Sequence, residues 1–404
     1  MIVKNESHII TDTLEKLIKK INIDYWVISD TGSTDTTKQL ITDFFIKHDI
    51  KGELFDDEWQ DFGHNRTVAL EHAFGKCDYV FIFDADDEIV GDFELDTKSL
   101  SGDSYILKYG GGTSSHVSYD RTQIVNNHKK WKYTGVLHEY ISALFPNPQP
   151  GTKLNGSPYY VLSGRTGSRS MDPDKYLKDA IVLEKAYYKA KESAAEQDHA
   201  LYSRYAYYCA NSYGEVGGGG GHVATAIEWY KKTLECHGWL EEKYNACFRI
   251  YELSDDKKSA MYYLVKSYEY NNRRVEGIYE LIHHYCCIKQ YKVAGAYYSL
   301  IKNYYENEYL TDDLSTRLFA KTDIYAFYLP YYMIIAASYN DDFETGLKMY
   351  DIIFKKKFVP TEWFLTHLNG NAKFYLEHCK NPVEFLSNLA IFSLHASMSS
   401  TTVK

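Results

Sequence analysis

The sequence lacks any apolar run long enough to cross a membrane. A spanning helix needs ~20 predominantly apolar residues, and the most apolar stretch, YLPYYMIIAA, is far shorter. The N-terminus, MIVKNESHII, also lacks the long apolar core that follows a basic flank in a signal peptide. We therefore expect neither a transmembrane segment nor a cleaved leader.

An excess of positive charge and paired cysteines are missing too. The 45 basic residues are outnumbered by 55 acidic ones, and the net charge of −10 argues against nucleic acid as the main partner. The 7 cysteines form no CxxC pair, and an odd number fits neither a disulfide framework nor a zinc site. A reducing, cytoplasmic compartment is the simplest interpretation.

The first part of the chain alternates short apolar runs with helical patterns. Buried strands are predicted at residues 24–30 and 77–84, helices at 33–48 and 66–76, and further strand-like runs at 104–111 and 131–141. This alternation indicates an α/β domain with a mostly parallel, Rossmann-like sheet, which we place at residues 1–170. Ligands of such sheets bind beyond the carboxyl ends of the strands.

The strand predicted at 77–84 ends in a dense group of carboxylates, Asp84, Asp86, Asp87 and Glu88. Such close carboxylates repel one another, whereas oxygen ligands are what Mg²⁺ and Mn²⁺ prefer. The alternative is a solvated acidic turn. Because Asp30 ends the other predicted strand, two acidic strand ends in one α/β sheet favour a ligand site.

Residues 171–404 have a different pattern, which is helical and rich in tyrosine. The segments AIEWYKKTL, AMYYLVKSY and AGAYYSLIK begin at Ala226, Ala260 and Ala294, two steps of 34 residues, and Tyr251 and Tyr285 are separated by the same interval. This period is typical of tetratricopeptide repeats. Such repeats often bind peptides or self-associate, so they would bind a partner molecule, form a homodimer or only stabilise the chain. The glycine run at 217–221 is more consistent with a loop than with a phosphate cradle, which needs GxxxxGK[ST] after a strand.

Five motifs occur in order in the first part of the chain. They are IVKNES (2–7), SDTGSTDTT (29–37), FGHNRTVALEHA (62–73), FDADDE (83–88) and TGVLHEY (134–140). Together they resemble the family 2 glycosyltransferases of GT-A fold, in particular the subgroup with C-terminal tetratricopeptide repeats. The resemblance covers about 165 residues of the catalytic part. The chain starts almost at the first motif, so the family's first strand is either short or trimmed.

The resemblance implies a nucleoside-diphosphate sugar as donor, with uridine as the family expectation. Asn5, Glu6 and Asp30 would lie near the base and ribose, and Asn65 and Arg66 on the nucleotide side. Asp84 and Asp86 would form the DxD motif, which holds Mn²⁺ or Mg²⁺ against the two phosphates.

The remaining motif residues would serve the acceptor side and the diphosphate. His138 and Glu139 match the family's HE pair, and His138 is a further candidate metal ligand. Glu139 is the first candidate for the base that deprotonates the acceptor hydroxyl, and Asp87 is the second. Arg165 either closes over the diphosphate or belongs to a solvated linker, as does Arg169. Many relatives carry His-Gly where this chain has Ser163 and Gly164, so the metal site would be incomplete or use His138.

The leading interpretation is therefore an inverting, metal-dependent glycosyltransferase of hexosyltransferase type. Its acceptor would be a hydroxyl group on a glycan, a peptide or a protein. The alternative is a non-catalytic scaffold, in which the repeats recruit a partner and the α/β domain only binds a nucleotide sugar. A nucleotidyltransferase is disfavoured because its glycine-rich, lysine-containing phosphate loop is absent.

Overall fold

The computed structural model describes residues 1–110, 118–154, 158–193, 196–218, 221–358 and 360–401. Part of the glycine run at 217–221 and the end of the strand predicted at 104–111 thus lie outside the described residues. The chain divides into two compact units, Met1–Trp239 and Leu240–Lys404.

The first unit contains all the described strands and the first six α-helices. The strands are β1 (Ile2–Val3), β2 (Trp26–Asp30), β3 (Gly52–Asp56), β4 (Tyr79–Phe81), β5 (Glu88–Gly91), β6 (Ser104–Gly110), β7 (Ser118–Asn126), β8 (Trp131–Thr134), β9 (Tyr140–Ala143), β10 (Thr152–Lys153) and β11 (Tyr159–Leu162). The helices are α1 (Ile10–Ile18), α2 (Thr37–Lys47), α3 (Phe62–Ala73), α4 (Lys175–Glu192), α5 (Glu196–Glu215) and α6 (Val223–Glu235).

The strands form two main sheets and a hairpin. The first sheet, in the order β1-β2-β3, is entirely parallel, as predicted. The second sheet, in the order β4-β7-β6-β11-β5 with β10 beside β6, is mixed, so the expectation of a mostly parallel sheet is wrong for this part. The single strand predicted at 131–141 is the antiparallel pair β8–β9, because Gly135 (φ 107°) turns the chain between them.

The parallel sheet brings several polar strand ends to one edge. Val3 is in register with Asp30, and Asp30 with Asp56, so the carboxyl ends of the three strands lie side by side. The DADDE segment is fixed to the core below this edge. Ala85 is buried in a cluster with Val3 and Ile28, and its carbonyl accepts a hydrogen bond from Thr13 Oγ1 at 2.6 Å.

The second unit is helical throughout its described residues. Its α-helices are α7 (Leu240–Leu253), α8 (Lys257–Tyr270), α9 (Glu276–Cys287), α10 (Tyr291–Asn307), α11 (Leu329–Tyr339), α12 (Phe343–Lys356), α13 (Glu362–Asn371) and α14 (Pro382–Thr401). Neighbouring helices pack in pairs, α7 with α8, α9 with α10 and α11 with α12. The repeated alanines Ala226, Ala260 and Ala294 are all buried, and they lie on α6, α8 and α10. The chain is thus an α/β part followed by helical pairs, while the tetratricopeptide class stays a prediction.

The helices α4, α5 and α6 belong to the same compact unit as the sheets. The domain boundary predicted at residue 170 falls before these helices and stays a prediction. All 7 cysteines lie in the described ranges and are free thiols. Within those ranges no helix combines the length and apolar character needed to cross a bilayer.

Candidate active site

The first two motifs are interlocked at the carboxyl ends of β1 and β2. Asp30 is fully buried, and its Oδ1 accepts hydrogen bonds from the Gly32 and Ser33 amides at 2.9 and 2.7 Å. Asn5 (φ 57°) joins this turn, since its Oδ1 accepts from Thr34 N at 2.8 Å. Asp30 Oδ2 is buried without a hydrogen-bond partner among the described residues, so it can accept from a ligand.

Asp35, in the same motif, orders the start of α2. Its carboxylate accepts from Thr37 N and Oγ1 and from Ser7 N. Desolvation by burial acts to raise the pKa of Asp35, but this set of hydrogen bonds outweighs it and lowers the pKa to about 2. These hydrogen bonds are consistent with a structural role for Asp35 at the start of α2.

Asp86 and Glu6 meet at the loop that follows β11. The Gly167 amide donates to Asp86 Oδ2 at 3.3 Å, and the Ser168 amide donates to Glu6 Oε2 at 3.1 Å. A Cβ at Gly164 would overlap the Asp86 carbonyl oxygen, so the loop passes directly against the DxD segment. Burial, together with the negative charge of Asp84, raises the pKa of Asp86, and burial also raises that of Glu6.

Asp84 is held by two arginines. Its Oδ1 lies 2.7 Å from Arg66 Nη1, and its Oδ2 accepts from Arg121 Nη1 at 3.0 Å. Against the effect of burial, these two guanidinium groups hold the pKa of Asp84 well below its usual range. Sequence reasoning missed Arg121. Its only signal in the sequence was that this polar residue lies two positions from Gln123 in a strand. Gln123 is buried in the structure.

Asp87 is the most buried acid of the segment, at 3% exposure. Tyr109 donates its hydroxyl proton to Asp87 Oδ2 at 2.8 Å, and Gln123 in turn donates to Tyr109. Asp87 Oδ1 has no partner among the described residues. Burial and the negative charge of Asp84 raise the pKa of Asp87 to about 7, a value suited to a proton acceptor.

Glu139 and His138 lie in the turn between β8 and β9. Glu139 Oε1 is 2.7 Å from Arg66 Nε, an ion pair that lacks hydrogen-bond geometry. The His138 ring stacks on Tyr208 with centroids 3.9 Å apart, although the residue keeps an exposed surface. Desolvation by the surrounding protein and the positive charge of Arg204 lower the pKa of His138 to about 3, so its imidazole is neutral at pH 7.

The other predicted residues have different environments. The Asn65 amide is used by the preceding loop, because it accepts from Gln60 N and donates to Glu58 O. Arg165 is exposed. Arg169 pairs with Asp179 and lies over the Phe62 ring.

Lys175, at the first residue of α4, was missed by sequence reasoning because it lies far from any motif. It is half-buried near Asp86. Burial and the positive charges of Arg169 and Arg165 lower its pKa. Lys175 thus places positive charge near Asp86.

The residues at this site fit a metal that is held mainly by phosphate oxygens. The described ranges contain no group of three side chains able to ligate a metal, so the set Asp84, Asp86 and His138 stays a prediction. Asp84 is committed to its arginines, whereas Asp86 forms no ion pair with a described lysine or arginine. Mg²⁺ typically uses one or two carboxylates plus substrate phosphates, which is the arrangement that Asp86 can support.

One cavity among the described residues does not coincide with these acids. It measures about 580 Å³ and is lined mainly by core side chains from α1, β2, α3 and β4, without Glu6, Asp30 or Asp86. Since the convergent polar groups lie elsewhere, we assign the site to the strand ends and not to this cavity.

Comparison with known families agrees with the first four motifs. Residues 1–94 match the family model described as Glycosyl transferase family 2, which covers less than a quarter of the 404 residues. A comparison with curated proteins found no significant match. The matched range includes the strand ends of Asn5, Asp30 and the DADDE segment but not the β8–β9 turn. The match supports a family 2 glycosyltransferase domain in the first unit.

Proposed function

We propose that the first unit is a metal-dependent, inverting glycosyltransferase. It would move a sugar from a nucleoside-diphosphate sugar, a UDP-sugar by family expectation, to a hydroxyl group of a glycan, peptide or protein. The observation that carries this proposal is the meeting of Glu6 and Asp86, from separate strand ends, at the Gly167–Ser168 amides. It joins the acidic motif to the nucleotide motif beside Asp30.

The nucleoside would be held at the β1 and β2 ends. The unpartnered Asp30 Oδ2 suits a base N–H or a ribose hydroxyl, and Asn5 fixes the turn that positions it. Arg66 is engaged with Asp84 and Glu139, and Asn65 with its own loop. We therefore infer that Asn65 and Arg66 support the nucleotide pocket by ordering its walls.

The diphosphate would lie over Asp86. A bound Mn²⁺ or Mg²⁺ supplies Lewis-acid assistance to the departing diphosphate. Asp86 would hold that ion, with His138 as a further candidate, and Lys175 and Arg165 would add positive charge for the phosphate oxygens.

Two carboxylates are candidates for the base that takes the acceptor proton. Glu139 remains the first candidate because it lies in a turn next to the exposed His138. Asp87 is the second, and its raised pKa suits the task.

The proposal is tested by measuring the Tm of the protein with a panel of nucleotide sugars, each with and without Mn²⁺. A ligand that binds only the folded state stabilises it by mass action, so the correct donor should raise the Tm when Mn²⁺ is present. Release of free nucleoside diphosphate from that donor would support the enzyme. A Tm shift without release or transfer would favour the non-catalytic scaffold. No shift with any donor would contradict both.

The helical pairs would select the acceptor or form a homodimer. Size-exclusion chromatography with light scattering measures the oligomeric state directly. The seven free thiols suit a reducing, cytoplasmic compartment.

A further inference from the structure

The turn that carries His138 and Glu139 is held by α5. Arg204 donates two hydrogen bonds to the His138 carbonyl, from Nε at 3.0 Å and from Nη2 at 2.8 Å. The Val136 amide donates to Tyr205 Oη at 3.2 Å. Tyr208, one helical turn further along, stacks on the His138 ring with an interplanar angle of 13°.

This turn needs such support because its backbone is unusual. His138 has φ 54°, in the left-handed region that only a few per cent of non-glycine residues occupy, although histidine does so more often than most. Such a conformation persists where the surroundings over-determine it. Here the carbonyl and the ring of His138 are both fixed by α5. On the other side, a Cβ at Gly63 of α3 would overlap the Gly135 carbonyl, so the turn lies tightly between two helices.

The position of the turn is transmitted to the DxD segment. Glu139 Oε1 lies 2.7 Å from Arg66 Nε, and Arg66 Nη1 lies 2.7 Å from Asp84 Oδ1. A displacement of the turn would therefore move Glu139 away from Arg66, which leaves the Glu139 carboxylate without its cation and Arg66 with Asp84 alone. This chain of ion pairs links α5 to the acids of the candidate site.

We propose that α5 is part of the catalytic unit and that Arg204, Tyr205 and Tyr208 are positioning residues for the β8–β9 turn. The inference rests on the proposed function, because it concerns the geometry of the same site. These residues lie outside the range that matches the family model, in the segment that the sequence assigned to the helical domain. Helix α5 would thus complete the candidate site, because the motifs of the α/β part do not by themselves fix the β8–β9 turn.

The test uses the full chain with four variants and one control. Arg204→Gln, Tyr205→Phe and Tyr208→Leu each remove one of the three contacts, whereas Tyr208→Phe keeps the stacked ring. Tyr213→Phe is the control, because Tyr213 lies on the same helix but donates to Glu184 of α4 at 3.0 Å. For each variant we would measure the Tm, the kcat and KM for the donor, and hydrogen exchange of peptides covering 134–140 and 84–88.

Small displacements at a reacting centre can cost up to ~10²-fold in rate. We expect the kcat of Arg204→Gln, Tyr205→Phe and Tyr208→Leu to fall roughly 10-fold or more. The donor KM should change less than the kcat, because Asn5 and Asp30, which would hold the nucleoside, lie on other elements. Exchange should rise in both peptides. Tyr208→Phe and Tyr213→Phe should keep the wild-type kcat.

Unchanged kcat and exchange in the first three variants would overturn the inference, as would an equal loss of kcat in Tyr213→Phe. A wild-type protein that releases no nucleoside diphosphate from any donor would instead contradict the proposed function. In that case the hydrogen-exchange data still decide whether α5 fixes the turn. Unchanged hydrogen exchange in Arg204→Gln, Tyr205→Phe and Tyr208→Leu would refute that role of α5.

Discussion

Arg66 of α3 and Asp84, which follows β4, form an ion pair of 2.7 Å between two of the sequence motifs. The side chains of Arg66 and Asp84 are 10% and 20% exposed, so the pair is largely shielded from water. Because Arg66 also contacts Glu139, one guanidinium balances two carboxylates. The first aspartate of the DxD motif is therefore a structural anchor for the segment as well as a candidate ligand.

Replacing Arg66 should strongly destabilise the protein. Arg66→Met leaves Glu139 without its cation and Asp84 with Arg121 alone, and breaking such a buried pair costs roughly 3–5 kcal/mol. Urea unfolding measures the free energy directly. Arg121→Met, which leaves the Arg66 pair intact, is the matched variant and should lose less. Equal and small losses in both would contradict the anchoring role.

Asp86→Asn should remove the Mn²⁺-dependent stabilisation by the donor and abolish transfer. Because burial and Asp84 disfavour its charged form, the apo protein should keep its Tm or gain slightly. Thermal shift with and without Mn²⁺ measures both effects. The control is Glu88→Gln, which changes an acid of the same segment that pairs with Lys16 on the surface. Near-normal turnover in Asp86→Asn would refute the assignment.

Glu139→Gln separates binding from proton transfer. A general base contributes at least ~10²-fold, so turnover should fall by roughly that factor with donor affinity nearly unchanged. Single-turnover kinetics and a donor titration give the two quantities. If donor affinity falls as much as turnover, Glu139 serves to bind donor or to neutralise Arg66. Asp87→Asn would then be the next variant to test.

Asp87 should make the stability depend on pH. Its folded-state pKa of about 7 lies above the unfolded value of ~3.9, so the folded protein binds this proton more tightly. The free energy of unfolding should therefore fall as pH rises from about 4 to 7. Asp87→Asn lacks this effect and should gain stability relative to wild type across that window, measured by urea unfolding in EDTA. Asp92→Asn serves as the control, because Asp92 is exposed. If the free energy of unfolding changes with pH in parallel for Asp87→Asn and wild type, the expectation is contradicted.

Gly164→Ala should displace the loop from the DxD segment. The added methyl group would overlap the Asp86 carbonyl oxygen, and such overpacking typically costs about 1–3 kcal/mol. We expect a lower Tm and a weaker Mn²⁺-dependent donor shift. Gly370→Ala in α13 has no atom within 4 Å of the new Cβ and should leave stability unchanged or raise it by up to ~1 kcal/mol, because alanine favours a helix over glycine. Equal Tm values for the two variants would show that the loop can move without cost.

Local patterns in the sequence predicted much of the architecture. The apolar run before Asp30 is β2, and the residues that follow it form the turn on Asp30 Oδ1, because Gly32 and Ser33 place their amides there. The alanines of the 34-residue register are buried, as small residues between packed helices should be. These features follow from periodicity and turn chemistry, which act over a few residues.

The order of the strands and the partners of the acids depended on tertiary contacts. Asp84 finds its arginines 18 and 37 positions away in sequence, and Arg204 reaches His138 across 66 positions. No short pattern encodes such pairs, since each depends on how distant elements stack. The sequence alone determined which residue types could bind a metal and a nucleotide. The tertiary structure decided that Asp84 is neutralised by arginines while Asp86 is not, because only packing sets the distance between charges.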